Sequence, residues 1–188
     1  KIQEARVSTT DPTARPMKMP DGGFRPCYNV QFATDTGSQV ILGAAVSNQG
    51  TDQGKALGVE EQVEERTGKQ PEDYLVDGGF VSLKDIEALE HKGIKVYAPP
   101  KDNGKLEVSY LLGAAGTKEV AAWRERMKTE GAKAIYKERA ATSECVNALM
   151  RNRYGLGQFT VRGLPKVLCV PLLMVLTHNL LRWISLIS

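Results

Sequence analysis

The chain has 188 residues, of which 41% are hydrophobic and 25% charged, and its formal net charge is +3. The length supports one domain or slightly more with a substantial core, and the composition is that of an ordinary soluble globular protein. Its three cysteines, Cys27, Cys145 and Cys169, are odd in number and widely spaced. This pattern argues against a disulfide scaffold and against a zinc site, and it favours reduced thiols in a cytosolic protein.

The small net charge conceals two segments of opposite sign. Residues 52–90 carry four Lys or Arg against eleven Asp or Glu, a balance of −7. Residues 117–166 carry eleven Lys or Arg against five Glu, a balance of +6. A basic segment that holds one acid at a special position favours a polyanionic partner, although a set of solvated helix faces gives the same count.

The first part of the chain, residues 1–27, is rich in Pro, Gly, Thr and Asp. It is predicted to be an arm or loop that precedes a domain spanning residues 28–188. The chain begins with Lys1 and not Met, and its first residues look like neither a signal peptide nor a transit peptide, so we expect a piece of a longer protein. Tyr28–Thr34 alternates apolar and polar residues, and a second strand is predicted over Gln39–Val46 after a short turn. The two strands are predicted to form an antiparallel hairpin.

An acidic helix is predicted to follow the hairpin. It begins at Gly50-Thr51-Asp52, runs to about Thr67 and ends at Gly68 as a C-cap. Leu57, Val59 and Val63 are predicted to face inward. The four glutamates at positions 60, 61, 64 and 65 are predicted to face solvent.

The stretch Tyr74–Phe80 reads YLVDGGF. Three residues that favour a buried strand lead into Asp77, and two glycines then let the backbone turn. Ser82 and Asp85 predict the N-cap and capping box of a helix that ends near His91. Asp77 is therefore expected at the carboxyl end of a strand, where open α/β sheets bind ligands, although an Asp-Gly pair is also common turn chemistry.

Ile94–Ala98 is predicted to be a short strand that pairs in parallel with the strand before Asp77, through a right-handed crossover. Pro99-Pro100 ends it. Residues 101–116 lack periodicity and are predicted to form a mobile loop or the stub of an insertion.

The carboxy-terminal part is predicted to be helical over residues 117–131, 134–154 and 164–187. The last helix is hydrophobic, but His178, Asn179 and Arg182 interrupt its apolar run. We therefore expect a buried helix, kinked before Pro171, rather than a membrane span. The elements together predict an α/β fold with a mixed sheet.

Two acids far apart in the sequence suggest phosphodiester chemistry. One is Asp77, and the other is Glu144 in the stretch Tyr136–Glu144 (YKERAATSE). Hydrolysis and transfer of phosphodiesters commonly use divalent metals held by carboxylates, and Mg²⁺ prefers oxygen ligands. Arg151 lies two helical turns beyond Glu144, where its guanidinium could bind a phosphate on the same face. A Glu and an Arg at this spacing are also common on solvated helix surfaces.

The stretches VDGGF at Val76–Phe80 and YKERAATSE at Tyr136–Glu144, followed by Arg151, resemble bacterial insertion-sequence transposases of the DDE type, in the group with a Tyr-Arg-Glu-Lys signature. The likeness extends to YNVQFATD at 28–35, to GQFTVRGLPKV at 157–167 and to His178-Asn179-Leu180. It covers nearly the whole chain. It implies a ribonuclease-H-like α/β fold, with a mixed sheet that is flanked by helices, lacks its first strand and is followed by a helical tail.

By this resemblance Asp77 is the second metal-binding acid and Glu144 the third, with Mg²⁺ or Mn²⁺ as the cofactor. Tyr136 and Arg139 correspond to the Tyr and Arg of the signature, which contact DNA phosphates near the scissile bond. Arg151 stands where the family usually has Lys, so a planar guanidinium with several N–H donors replaces a compact ammonium group. Four residues separate Arg139 from Glu144, one more than in the commonest form of the signature.

The first acid of the family has no clear counterpart in the chain. Asp11, Asp21 and Asp35 all lie in turn or loop sequence, and none is in the middle of a predicted strand. We therefore expect the first strand and its aspartate upstream of Lys1.

The resemblance implies a transposase that cleaves DNA at element ends with metal-activated water and then joins the freed 3′-hydroxyl to target DNA. The implied partners are transposon ends and target DNA, with a homodimer in the DNA complex and no membrane. The implied location is the bacterial cytoplasm, associated with the nucleoid. The alternatives are an inactive, truncated or co-opted remnant that only binds DNA, and a metal-dependent nuclease of the same fold without a transfer step. The fragment alone is expected to be inactive.

Overall fold

The structure is a computed structural model, and it describes residues 8–19, 21–100 and 117–188. The chain divides into two compact units. Unit 1 combines the two ends of the chain, residues 1–51 and 143–188, and unit 2 is the continuous segment 52–142. The loop predicted for residues 101–116 lies outside the described residues.

Unit 1 begins with a hairpin that the sequence did not indicate. Strand β1 (Arg15–Lys18) pairs antiparallel with β2 (Phe24–Cys27), so the prediction of a loop is wrong for these residues. Both strands are four residues long and mostly exposed, and they lack the apolar alternation by which a strand is recognised. The connection between them depends on Gly22, whose φ of 82° favours glycine.

The second hairpin, β3 (Asn29–Thr34) and β4 (Ile41–Ser47), is antiparallel as predicted. Its turn is held by Asp35. The Asp35 carboxylate accepts hydrogen bonds from the backbone N–H and from the hydroxyl of Ser38 at 2.7 and 2.6 Å. Asp35 is therefore a turn residue, as its sequence context indicates.

Unit 2 begins with helix α1 (Ala56–Thr67), which starts later than predicted and ends at Gly68 in the left-handed conformation, as predicted. One of its predicted solvent-facing glutamates, Glu60, is instead fully buried. The reason is Lys92, whose ammonium donates a hydrogen bond to Glu60 Oε2 at 2.8 Å. A buried carboxylate is tolerated when a cation pairs with it.

Strands β5 (Asp73–Leu75) and β6 (Lys95–Tyr97) pair in parallel as predicted, with helix α2 (Leu83–His91) between them in the chain. The predicted capping box of α2 is present. The Asp85 N–H donates to the Ser82 hydroxyl at 3.1 Å, and the Ser82 N–H donates to the Asp85 carboxylate at 2.9 Å. These bonds satisfy N–H groups that the first turn of a helix leaves unpaired.

Helices α3 (Lys118–Lys128) and α4 (Glu130–Arg139) are the last two helices of unit 2 among the described residues. Val120, Trp123 and Met127 of α3 are buried in its core. The sequence predicts the break between the helices near Gly131, but the break is at Thr129. The Thr129 hydroxyl caps α4 by accepting a hydrogen bond from the Ala132 N–H at 3.2 Å.

The chain then returns to unit 1. A π-helical segment (Ala140–Glu144) leads without interruption from α4 into helix α5 (Cys145–Asn152), where the sequence predicts one long helix. The last helix, α6 (Leu164–Ile187), has the predicted limits. It packs against β4, and the core of unit 1 contains side chains from β4, α5 and α6 (Ile41, Ala44, Val146, Met150 and Val175).

Helix α6 is only partly buried, contrary to the prediction of a buried helix. Its buried residues are Val167, Pro171, Val175 and His178. Nine large apolar side chains of the same helix are exposed, namely Leu172, Leu173, Leu176, Leu180, Leu181, Trp183, Ile184, Leu186 and Ile187. By length and composition alone α6 could also cross a membrane. A kink before Pro171 stays a prediction.

The α/β class is confirmed, but the single mixed sheet is not found. The described strands form three separate two-stranded sheets, two antiparallel in unit 1 and one parallel in unit 2. No described strand has a neighbour on both of its edges. The ribonuclease-H-like arrangement therefore stays a prediction.

Candidate active site

Asp77 lies in the turn that follows β5. The parallel ladder continues up to the residue before it, because the Val76 N–H bonds the Tyr97 carbonyl at 3.0 Å. The Asp77 side chain is exposed, and its Oδ1 accepts a hydrogen bond from the Gly79 N–H at 3.2 Å. Its carbonyl accepts one from the Phe80 N–H at 2.8 Å. Asp77 thus stabilises a turn and also presents a carboxylate at the end of a strand.

Gly78 fixes the backbone beside Asp77. It is buried, and a Cβ built on it would overlap the carbonyl oxygen of Pro99. No atom lies within 4 Å of a Cβ built on Gly79. The first glycine of the Asp-Gly-Gly sequence is therefore required by the close approach of the backbone after β6, whereas packing does not require the second. This approach holds the Asp77 turn at the carboxyl ends of both parallel strands.

Tyr136 and Arg139 contact each other on α4. Arg139 Nε donates a hydrogen bond to the Tyr136 hydroxyl at 3.2 Å, and the guanidinium carbon lies 5.7 Å from the centre of the tyrosine ring. Tyr136 packs against the core of unit 2 and is itself half-buried. A partly fixed aromatic ring therefore holds the arginine head group, which reduces the conformational entropy that the arginine would lose on binding a phosphate.

Glu144 and Arg151 are both exposed helical residues. Glu144 is the last residue of the π-helical segment, and Arg151 lies near the end of α5. The backbone between them is α-helical, and seven residues make nearly two turns, so the predicted common face agrees with the observed helix.

The π-helical segment falls between Arg139 and Glu144, where the spacing departs from the signature. In an α-helix, residues four apart are offset by about 40° around the axis and residues five apart by about 140°. A π-helix pairs residue i with i+5 and so takes roughly one more residue per turn. A segment of this kind would therefore absorb the extra residue that the resemblance implies between Arg139 and Glu144.

The hydroxyl of Thr142 bonds the carbonyl groups that this segment leaves accessible. It donates to the Glu138 carbonyl at 3.0 Å and lies 3.4 Å from that of Arg139. Thr142 is buried. The sequence contained the signal for this segment, since the spacing was one residue too long for the signature, but spacing alone does not distinguish a π-helical segment from a misassigned arginine.

Part of the basic charge predicted for DNA binding has a structural role. The Arg126 guanidinium bonds Glu90 and, at 3.1 Å, the Val96 carbonyl, and it lies 5.4 Å above the Tyr97 ring. It therefore connects α3 to α2 and β6. Two exposed lysines form surface ion pairs, Lys128 with Glu125 at 2.6 Å and Lys133 with Glu130 at 2.7 Å.

The two predicted metal-binding acids have suitable chemistry but lie in different units. Asp77 belongs to unit 2 and Glu144 to unit 1. Exposed carboxylates are the ligands that Mg²⁺ and Mn²⁺ prefer. Over residues 8–19, 21–100 and 117–188, no three His, Cys, Asp or Glu side chains are grouped as a metal site. The carboxylates of Asp77 and Glu144 are therefore of the chemical type that binds Mg²⁺ or Mn²⁺.

Comparison with protein families gives a match that covers far more than half of the chain. The family model described as Transposase DDE domain matches residues 4–180. Comparison with curated proteins and with solved structures found no match. The chain therefore belongs to the transposase DDE domain family.

Proposed function

We propose that this chain is part of a DDE transposase that cleaves DNA at the ends of an insertion sequence and transfers the freed strand to target DNA. The family match over residues 4–180 carries the proposal. A ribonuclease-H-like core is part of it. The order of elements supports that core, since the antiparallel pair β3–β4 is followed by α1 and then by the parallel pair β5–β6.

Asp77 and Glu144 are proposed to hold Mg²⁺ or Mn²⁺ through their carboxylates. The ion, when bound, stabilises charge on the phosphate and lowers the pKa of a bound water. The Gly79 N–H contributes by fixing Asp77 Oδ1 at 3.2 Å, which restricts rotation of the carboxylate. Pro99, in contact with Gly78, keeps the Asp77 backbone in place. Preorganised ligands of this kind lose little entropy when they bind an ion.

Tyr136, Arg139 and Arg151 are proposed to bind the DNA backbone near the scissile phosphate. The contact between Tyr136 and Arg139 supports this role, because it orients a guanidinium before DNA arrives. The planar guanidinium of Arg151 can donate two parallel hydrogen bonds to two phosphate oxygens, a geometry that a lysine ammonium does not offer. DNA at the ends of the element and in the target is the proposed partner, in a homodimeric complex.

The test is a cleavage assay with the complete open reading frame that contains this chain, Mg²⁺ and a donor DNA with intact element ends. We expect Asp77→Asn and Glu144→Gln each to lower strand cleavage by at least about a hundredfold, while DNA binding in a gel-shift assay persists. Both substitutions keep the side-chain shape, so folding is little affected. Glu65→Gln, at an exposed position of α1, is the matched control and retains full cleavage.

The same assay distinguishes the two alternatives. Binding that weakens as salt rises, without cleavage in Mg²⁺ or Mn²⁺, would support a remnant that only binds DNA. Cleavage without joined donor–target products would support a nuclease. Full cleavage by either carboxylate variant would contradict the assignment of Asp77 or Glu144.

A further inference from the structure

The β1–β2 hairpin of unit 1 is an exposed and basic element. Its two strands pair with each other, and neither packs extensively on any other described helix or strand. Residues 15–27 carry three Lys or Arg against one Asp, a balance of +2, and Arg15, Lys18 and Arg25 are all exposed. We call residues 15–27 the hairpin arm. None of the residues proposed to bind metal or the scissile phosphate belongs to it, so its exposed charge requires another explanation.

The two faces of the hairpin arm have different surroundings. Residues directly opposite each other in an antiparallel pair share a face, so Lys18 and Phe24 lie on one face and Met17 and Arg25 on the other. The Met17 side chain lies 3.5 Å from a Cβ built on Gly50, so the Met17 face is directed towards the rest of unit 1. The face of Lys18 and Phe24 is therefore the one that a partner can reach.

Phe24 is an aromatic side chain that is 66% exposed. Among the described residues outside α6, Leu83 is the other large apolar residue in the exposed class. An exposed ring with a lysine directly opposite and an arginine next in the chain fits a partner that offers both negative charge and apolar groups. Duplex DNA offers both, because phosphates border its grooves and thymine methyl groups line the major groove.

The base of the hairpin arm is fixed to the body of unit 1. The Asp11 carboxylate accepts hydrogen bonds from the hydroxyl groups of Thr13 and Tyr28, at 2.8 and 2.7 Å. Thr13 lies two residues before β1, and Tyr28 directly follows β2. The Asn48 amide also donates to the Thr13 carbonyl at 3.0 Å. Both ends of the arm are thus held before a partner arrives, which reduces the entropy lost on binding.

The single acid of the hairpin arm leaves its cations available for DNA. The Asp21 carboxylate pairs with the Arg25 guanidinium at 2.5 Å, and both side chains are more than half exposed. Exposed ion pairs of this kind are weak. A phosphate can therefore replace the carboxylate, because it accepts the same charge-assisted hydrogen bonds from a guanidinium.

We propose that the hairpin arm enters the major groove of duplex DNA, a role that rests on the transposase function proposed above. A two-stranded β-ribbon fits this groove, which is about 12 Å wide. Phe24 contacts the base edges. Lys18 belongs to one strand and Arg25 to the other, so their cations reach phosphates on both sides of the groove.

A protein strand fits the edges of the hairpin arm less well than DNA fits its face. Addition of a strand requires backbone donors along an edge. Pro16 and Pro26 lie opposite each other in the ladder, one on each strand. A proline in a sheet occupies a position whose backbone faces away from the neighbouring strand, and it has no N–H. Each edge of the arm therefore lacks a donor at its centre.

The test is fluorescence anisotropy of a labelled duplex of about 30 base pairs, three helical turns from an element end, titrated with the 188-residue chain. Lys18→Gln/Arg25→Gln should raise the dissociation constant at least about tenfold and lower the slope of log K against log salt by about 2, one for each phosphate contact. Lys69→Gln/Lys84→Gln removes the same charge from exposed positions of unit 2. This control should change the dissociation constant less than about twofold.

The apolar contact is tested separately. Phe24→Ala should raise the dissociation constant at least about threefold, because burial of the ring is lost, and should leave the salt slope unchanged. Ile187→Ala, at a residue that is 68% exposed, is the matched control and should bind like wild type. Methylation of guanine N7, which lies in the major groove, should weaken binding of the wild type more than that of Phe24→Ala.

Circular dichroism and thermal unfolding establish that the variants fold. If the double variant does not fold, Lys18→Gln alone replaces it, with an expected loss of about 1 in the salt slope.

Any of four results would overturn the proposal: a wild-type chain that does not bind the duplex, binding that the hairpin substitutions leave unchanged, an equal loss in Lys69→Gln/Lys84→Gln, or binding that is indifferent to methylation of guanine N7. The proposed function can fail independently. Its test is cleavage by the complete open reading frame and its dependence on Asp77 and Glu144, which these binding measurements do not involve.

Discussion

Gly78 shows how a single missing side chain positions the candidate active site. The carbonyl oxygen of Pro99 occupies the space where a Cβ of residue 78 would lie. The backbone after β6 therefore approaches the Asp77 turn more closely than any residue other than glycine at position 78 would allow. The φ of Gly78 is not in the left-handed region. The requirement for glycine is therefore steric and does not come from backbone strain.

Gly78→Ala should lower the free energy of unfolding by about 1–3 kcal/mol, because a methyl group is forced into a filled space against backbone atoms. Urea denaturation measures the change. Gly79→Ala is the matched control, since a Cβ there meets no atom within 4 Å, and it should change stability by less than about 0.5 kcal/mol. Equal effects of the two substitutions would show that the Pro99 contact is not the cause.

Asn179 attaches α6 to β4. Its amide replaces a neighbouring strand at Ile41, because Oδ1 accepts from the Ile41 N–H at 2.9 Å and Nδ2 donates to the Ile41 carbonyl at 2.8 Å. Ile41 is buried, so its backbone groups depend on the Asn179 amide for hydrogen bonds. The His-Asn-Leu sequence that contributes to the family resemblance therefore has a structural role at its asparagine.

Asn179→Ala should lower the free energy of unfolding by about 2–4 kcal/mol, because two buried backbone groups at Ile41 lose their partners. Asn179→Asp should be at least as destabilising, because it keeps the acceptor but places a second carboxylate oxygen against the Ile41 carbonyl. Asn147→Ala, at an exposed position of α5, is the control and should change stability by less than about 0.5 kcal/mol. An Asn179→Ala protein as stable as the control would contradict the bonding scheme.

The π-helical segment joins α4 to α5. A π-helix is rare and arises where one residue is inserted into an α-helix. When one residue is removed from such a segment, the side chains of the helix after it keep their directions relative to those of the helix before it. When one residue is added, the following helix is rotated, because each α-helical residue turns the chain by about 100°.

Deletion of Ala141 should therefore convert the segment to regular α-helix and leave strand cleavage by the complete open reading frame within about tenfold of wild type. Insertion of one alanine after Ala141 should abolish cleavage, since it rotates Glu144 and Arg151 away from Arg139 along the helix. Circular dichroism establishes that both variants are folded. Loss of cleavage on deletion, with cleavage retained on insertion, would refute the phase argument.

Asp11 connects three parts of unit 1 that are far apart in the sequence, its own turn, the residue before β3 and the start of α6. Its carboxylate accepts hydrogen bonds from the Tyr28 hydroxyl at 2.7 Å, from the Thr13 hydroxyl at 2.8 Å and from the Gly163 N–H just before α6 at 3.1 Å. The Tyr28 bond is the main reason why the pKa of Asp11 falls from 3.8 to about 2. The sequence predicts only a loop residue here.

This shift makes stability depend on pH in the acid range. Because the folded pKa is below the unfolded one, ionised Asp11 contributes its full stability above about pH 4, and the contribution is lost as pH falls towards 2. Asp11→Asn should therefore be less stable than wild type at pH 6, and the difference should shrink between about pH 4 and pH 2. Urea unfolding of both proteins across this range measures it, and a difference that does not vary with pH would contradict the assignment.

What could be predicted from sequence depended on how far apart the interacting residues lie. The Ser82–Asp85 capping box, the Gly68 C-cap and the limits of α6 were correct, because local spacing determines them. Glu60 was wrong, because the lysine that permits its burial comes 32 residues later. The β1–β2 hairpin was missed for a different reason, since its exposed strands have no apolar pattern.

The candidate site follows the same rule. The turn at Asp77 and the helical positions of Glu144 and Arg151 could be inferred from a few neighbouring residues. The requirement for glycine at position 78 could not be inferred, because the atom that excludes a side chain belongs to Pro99, which comes after α2 and β6 in the chain. The exposed face of α6 was also missed, since hydropathy reports how apolar a helix is and not how much of it is covered.

The bond between Ile41 and Asn179 has a consequence for synthesis of the protein. The two residues are 138 positions apart, so at typical translation rates the β4 backbone is synthesised roughly 7–28 s before its partner exists. The continuous unit 2 is complete first, while the nascent β3–β4 hairpin still has an unpaired edge. Such an edge can pair with another chain, and chaperone binding during this interval would protect it.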